Sequence, residues 1–367
     1  MLNPVLRSLG TETMKNLLLG GYLGAGNLGD DAVMLGLVHG LGGAGYSVTV
    51  LSGAPEETHR LYGFPSVPRR DNKAIEAAII RCDALVFPGG SIFQDSTSMM
   101  SPTYYAGLVE TAKKHGKKVV LVGQGIGPLK GFIGKGASKK ALNMADGITV
   151  RDPAALQALK ELGVTKPARV AADSAFLLPV PRLSEEAGYG MGGMRAVALA
   201  PRPVKEKGRD IAGLFGELCK LLYQSGTMPT LLPMDRAEDI PLIDAISKAQ
   251  GGKVPDLRKI ATPMEVQQRL ARMDAVLAMR LHAGILAATV GVPPMMVSYD
   301  PKVSAFSKLL DLGPALPLEG LTAPRLLDAF LNFLKAKERN AKILERKREE
   351  QAKAAETSVE LIKTIVG

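Results

Sequence analysis

Met279-Arg280-Leu281-His282-Ala283-Gly284-Ile285, and then Gly291-Val292-Pro293-Pro294-Met295-Met296-Val297-Ser298-Tyr299-Asp300-Pro301-Lys302, read as a buried strand with a polar tip, a helix of small residues, and a second apolar strand with its own polar tip. Two apolar strands joined by one helix form a parallel βαβ unit. In open sheets of such units, ligands bind beyond the carboxyl ends of the strands. Arg280, His282 and Lys302 are therefore expected to gather at one sheet edge. Two cations beside one imidazole suit a small, multiply charged anion that must also exchange a proton.

The same alternation extends in both directions. Upstream, apolar strands are expected at 16–22, 47–51, 84–87, 118–122 and 147–150, with a closing segment at 169–178. A second series is expected at 195–200, 228–232, 275–278 and 294–297, with helices in the gaps. This pattern predicts an α/β fold in which two Rossmann-like domains with parallel sheets face each other across a cleft, a GT-B-like architecture. The expected boundaries are a loose N-terminal extension at 1–14, the first Rossmann-like domain (acceptor side) at 15–180 and a Pro/Gly-rich linker at 181–193. The second Rossmann-like domain (donor side) is expected at 194–322, and a C-terminal helical segment at 323–367.

Composition narrows the function. The 367 residues are 46% hydrophobic and 22% charged, as in ordinary globular chains. The net charge of +10 is spread along the chain and favours anionic partners. Trp is absent and aromatics make up 5%, which argues against stacking platforms for single-stranded nucleic acid. No nucleic-acid motif accompanies the charge, so no nucleic-acid partner is expected. Cys82 and Cys219 lack metal-ligand spacing and read as buried thiols in a reducing, cytoplasmic setting. No apolar run approaches the length of a membrane span. The basic stretch from Lys335 to Glu350 reads as a solvated helix face, with peripheral contact to an anionic inner membrane surface as the sharper alternative.

Several strand tips carry polar residues. In Gly24-Ala25-Gly26-Asn27-Leu28-Gly29-Asp30-Asp31, two carboxylates stand where a helix is expected to start, which disfavours phosphate. Asn27 and Asp30 suit hydroxyl recognition instead, although Asp30 reads equally well as a helix N-cap. Gly89, Gly90 and Ser91 form either an oxygen-binding nest or a tight turn. Gln124, between Gly123 and Gly125, is expected at the neighbouring strand end. In Arg151-Asp152-Pro153, capping explains the last two residues, while the Arg151 fork suits a carboxylate or phosphate, or else a structural acid. No ligand cluster argues for a metal.

Together these blocks resemble a known family. Gly24 to Asp30, Phe87-Pro88-Gly89-Gly90, Gly123 to Pro128, Val150-Arg151-Asp152, Asp173-Ser174-Ala175-Phe176, and Arg280-Leu281-His282-Ala283 with Gly291-Val292-Pro293 are similar, in that order, to the polysaccharide pyruvyl transferases, especially the CsaB type. Asp31 stands where the family often has Glu, and Ser174 where it often has Pro. The resemblance implies phosphoenolpyruvate as a co-substrate, with no cofactor, and release of phosphate. It also implies a 4,6-linked pyruvate ketal on N-acetylmannosamine of a lipid-linked cell-wall disaccharide, a polymer that later anchors S-layer proteins. By motif, the family's donor-binding Arg, His and Lys fall on Arg151, His282 and Lys302.

The expected roles follow. Arg151, Arg280, His282 and Lys302 bind the donor; His282 carries the proton, and Asp30 accepts one from an attacking hydroxyl. Asn27, Asp30, Gly89, Gly90, Ser91 and Gln124 face the acceptor, an amino-sugar. The same residues leave open a GT-B glycosyltransferase using a nucleotide-sugar, or a non-catalytic anion-binding protein. Oligomeric state is not legible.

Overall fold

The computed structural model describes residues 14–42, 45–95, 99–182, 194–204 and 209–367. Most of the expected N-terminal extension and linker lie outside these residues, as do Ser96, Thr97 and Ser98 of the polar run. The described strands form two sheets.

The first sheet contains β1 (Lys15–Leu23), β2 (Tyr46–Ser52), β3 (Ser66–Pro68), β4 (Ala84–Phe87), β5 (Gly90–Phe93), β6 (Lys118–Ile126), β7 (Gly147–Val150) and β8 (Ala168–Val170). Their spatial order is β3-β2-β1-β4-β6-β7-β8, with β5 pairing the far end of β6. The second sheet contains β9 (Arg195–Ala200), β10 (Thr227–Leu231), β11 (Ala275–Ala278), β12 (Pro294–Ser298) and β13 (Leu316–Pro317), in the order β10-β9-β11-β12-β13. Every pairing is parallel. Parallel strands are covered on both faces and therefore need unbroken apolar runs. Ala84–Phe87 and Ala275–Ala278 are buried at every position.

The direction in which successive strands are added across the sheet reverses between β1 and β4 in one sheet and between β9 and β11 in the other. These switch points are where crossover helices diverge and leave a crevice. The two sheets share an apolar cluster behind the crevices. In it Leu28, Ala32 and Val33 of the first sheet's helix pack with Ala198, Val276 and Ile285 of the second unit. Backbone bonds cross the same seam, from Leu28 N to Met234 O (2.8 Å) and from Arg236 N to Gly26 O (3.1 Å).

The last helix, Lys337–Val366, does not stand apart as a C-terminal appendage. Leu344 and Ala355 enter the shared cluster, while Val359, Ile362 and Val366 complete the core beneath β1 and β6. The Thr149 and Ser358 hydroxyls bond at 2.8 Å in the interior. The basic stretch is largely solvated and internally paired, as in Arg346–Glu350 and Lys347–Glu350. Cys82 and Cys219 are free and buried. No described helix is long and apolar enough to cross a membrane.

Candidate active site

A cleft of about 570 Å³ lies between the carboxyl edges of the two sheets. That is within the size range of small-molecule sites, about 300–1,000 Å³. Arg151, Arg280, His282, Lys302, Asn27, Asp30 and Ser91 all line it. The strand-tip rule thus brings seven of the expected residues to one cavity from five separate strand ends.

His282 sits in the first turn of the helix Leu281–Thr289. Its Nε2 faces the Asp173 carboxylate at 3.4 Å. On its other side the ring rests on Gly29, where a methyl group would come within 2.6 Å of Cγ and 2.7 Å of Cβ. Glycine there is what lets the imidazole reach the amino end of the helix Leu28–Leu41. That helix begins at Leu28, just ahead of the two carboxylates where its start is expected, because Asn27 caps it. The Asn27 Oδ1 accepts from Gly29 N (2.9 Å) and Asp30 N (3.4 Å). Asp30 is therefore not the N-cap, and its carboxylate is left facing the cleft. Asp31 is structural, accepting from Gly24 N (2.8 Å) and the Tyr62 hydroxyl (2.9 Å).

Three carboxyl and cationic groups here are electrostatically displaced. Burial pushes Asp30 up to about 6, with His282 pulling it down and Asp173 adding to the rise. Burial also acts to raise Asp173, but His282 and Arg151 outweigh it and hold that carboxyl below its usual range. Burial lowers the Lys302 ammonium to about 8; Asp300 opposes the shift and Arg151 and Arg202 reinforce it. A carboxylate poised to take a proton thus lies near an imidazole whose partner acid stays ionised.

Arg151 leaves the tip of β7 and is held on three sides. Its Nε donates to Asp152 (3.3 Å), its Nη2 to Ser91 Oγ (3.1 Å), and its Nη1 lies 3.9 Å from Asp173. Gly90, with φ of 83°, keeps the backbone close, since a Cβ there would lie 3.0 Å from the Asp30 carboxylate.

Arg280 has a different environment from the other cations. Its guanidinium is clamped by Asp239, which is fully buried, and by Glu238 at 2.9 Å. The Asp239 carboxylate also accepts from Met234 N and Asp235 N, each at 2.9 Å, which fixes the loop after β10. Arg280→Ala is expected to lower unfolding free energy by about 3–5 kcal/mol, because it strands a buried carboxylate. Denaturant unfolding checks this.

Gln124, Gly89 and Gly90 are not among the residues that line the cleft. Gln124 is completely buried within the long strand β6, its amide donating to Phe87 O (3.1 Å) and Val122 O (3.0 Å). Gly89 packs against Val33.

The structure adds residues that the sequence reading missed. Asp173 is one. Arg202, at the tip of β9, lines the cleft, bonds the Tyr299 hydroxyl, and stacks on that ring with its carbon 5.0 Å from the centroid. On the opposite wall Arg69 lies between Tyr22 (4.7 Å) and Tyr104 (5.6 Å). The Tyr104 hydroxyl fixes the Arg69 carbonyl at 2.6 Å, while the Arg69 Nε is buried without an acceptor among the described residues.

A family model described as polysaccharide pyruvyl transferase matches residues 27–301, which holds the strand-tip residues of the cleft from Asn27 to Tyr299 and stops just short of Lys302. The chain belongs to the polysaccharide pyruvyl transferase family. Membership makes it a transferase working between a pyruvate donor and a polysaccharide acceptor. No curated protein sequence matches it. Among solved structures it is similar to the UDP-GlcNAc 2-epimerase from Neisseria meningitidis bound to UDP-GlcNAc, at 11% identity and TM-score 0.65, over 96% of this chain and 100% of that one. Another UDP-N-acetylglucosamine 2-epimerase aligns at 14% identity and TM-score 0.63, over 96% of each chain. The glycotransferase of kitacinnamycin aligns at 14% identity and TM-score 0.52, over 97% of this chain and 100% of that one. These likenesses establish the GT-B-like fold.

Proposed function

We propose that this transferase is of the CsaB type. In this reading it uses phosphoenolpyruvate to build a pyruvate ketal, 4,6-linked on N-acetylmannosamine of a lipid-linked cell-wall disaccharide, and releases phosphate. The observation that carries the reading is the convergence of Arg151, Arg202 and Lys302 with the His282–Asp173 pair and Asp30 in one cleft. Phosphoenolpyruvate places a phosphate and a carboxylate on three carbons, so it needs several cations and one proton donor in a small volume.

In this reading the Arg151 fork holds the donor carboxylate. The phosphate lies against Lys302, Arg202 and the amino end of the helix Leu281–Thr289, which has no side-chain cap. Arg280, already neutralised, shapes this wall. Protonated His282 gives its proton to the methylene carbon, and Asp173 stabilises the imidazolium before transfer. The ether carbon gains cationic character. One sugar hydroxyl adds to it, forming a C–O bond and releasing its proton to Asp30. The second hydroxyl then adds as the bond to the phosphate oxygen breaks. One hydroxyl proton is balanced by the new methyl group and the other by the released phosphate. Asn27, Ser91 and Arg69 face the acceptor.

The test is incubation with phosphoenolpyruvate and a lipid-mimic disaccharide, reading phosphate release and the mass gain of the sugar together. Nucleotide release from a nucleotide-sugar, with phosphoenolpyruvate untouched, would replace this reading with glycosyl transfer. Donor binding without turnover would leave a binding protein. The pH dependence is also fixed in sign. Asp30 works deprotonated, and Lys302 and His282 protonated, so kcat/KM rises through about pH 6 and has fallen once the pH is above about 8, where Lys302 too loses its proton. Initial rates across pH 5–9 check it, and Asp30→Asn removes the acid limb.

A further inference from the structure

We infer that the tip formed by Met99, Met100, Phe132 and Ile133 is a membrane-docking edge for an anionic lipid surface. The inference rests on the reading above that the acceptor is lipid-linked. These side chains are 77%, 70%, 90% and 75% exposed, and they make up four of the nine large hydrophobics exposed among the described residues. Singly exposed apolar side chains need no explanation, but a cluster beside an active cleft does. Met100 and Ser101 line the cleft itself, so the apolar tip is continuous with its rim.

The tip is built on fixed backbone. The Asp95 carboxylate accepts from both Lys130 N and Gly131 N at 2.7 Å. Asp95 N donates to Pro128 O (3.1 Å) and Gly127 N to Phe93 O (2.9 Å). Gly134, buried, would meet Pro102 at 3.4 Å if it carried a Cβ, so the starts of the helices Ser101–Lys114 and Phe132–Met144 lie side by side. Loop and helix are thus ordered in a shape that leaves the largest apolar groups outermost.

Charge selects the occupant. Between Gly127 and Ala145 the chain carries Lys130, Lys135, Lys139 and Lys140 and no acid. Lys140 pairs with Glu110, and Lys139 reaches over Gly163. Lys130 and Lys135 are exposed, with no acidic partner among the described residues. Apolar tips flanked by lysines insert at the headgroup boundary of anionic bilayers. The stretch 335–350 fits this role less well, because its Leu344 is buried and several of its cations pair with Asp274 or Glu350.

The experiment is flotation of the full chain with phosphatidylcholine vesicles, with and without phosphatidylglycerol. Wild type should float with the anionic vesicles, and Phe132→Ser/Ile133→Ser should lose roughly tenfold or more in partitioning. Phosphate release with a soluble disaccharide should be the same for both proteins. Lys130→Glu/Lys135→Glu should lose anionic-vesicle binding in the same direction, and it carries the test should the apolar variant fail to fold. Three results would overturn the docking edge: no flotation of wild type, equal flotation of wild type and variants, or a wild-type dimer that Phe132→Ser/Ile133→Ser dissociates. If phosphate release fails in both proteins while the flotation difference persists, the functional reading falls and the docking edge stands.

Discussion

His282→Gln is expected to lower kcat by about a thousandfold while leaving phosphoenolpyruvate binding within a few-fold of wild type, because a general acid contributes about 10²–10⁴. The ring lines the cleft, and its Nε2 faces a buried carboxylate. Gln keeps the approximate shape and hydrogen-bonding capacity but cannot release a proton near neutrality. Asp173→Asn tests the pairing separately. It removes the charge that stabilises the imidazolium, so kcat falls and KM changes less. Single-turnover phosphate release and calorimetric donor binding distinguish the two effects. Near-normal turnover in His282→Gln removes the assigned proton donor.

Gly29→Ala should be almost as damaging, although glycine has no side chain to act with. Any Cβ at this position enters the space occupied by His282 Cβ and Cγ. The imidazole must move by an appreciable part of an ångström, and displacements of about 1 Å can cost around a hundredfold in rate. The helix itself tolerates Ala, so folding should persist. The expected result is a kcat loss of about a hundredfold at nearly unchanged melting temperature. Wild-type turnover in this variant would mean that the seating of His282 on Gly29 does not matter to catalysis.

Much of the fold was readable because parallel strands buried on both faces need unbroken apolar runs, and Leu17 to Leu19, Ala84–Phe87 and Ala275–Ala278 supply them. The short strands β3, β5 and β13 were not, since two to four residues at a sheet margin carry no such run. The rule that polar strand tips gather at the cleft found Arg151, His282 and Lys302. Applied once more, it would have found Arg202, an arginine between two prolines directly after β9, and Asp173, a carboxylate just after β8. It misplaced Gln124 because β6 runs on to Ile126, leaving that residue inside the strand. It could not weigh Arg280, whose partners Glu238 and Asp239 lie more than forty positions away.

The closing helix has a consequence for how the molecule is made. Val359, Ile362 and Val366 fill the core under a sheet whose first strand begins at Lys15. Until that helix has docked, the opening β/α unit keeps an oily groove uncovered. Its folding therefore waits on residues far along the chain, and loss of this helix would leave that groove open.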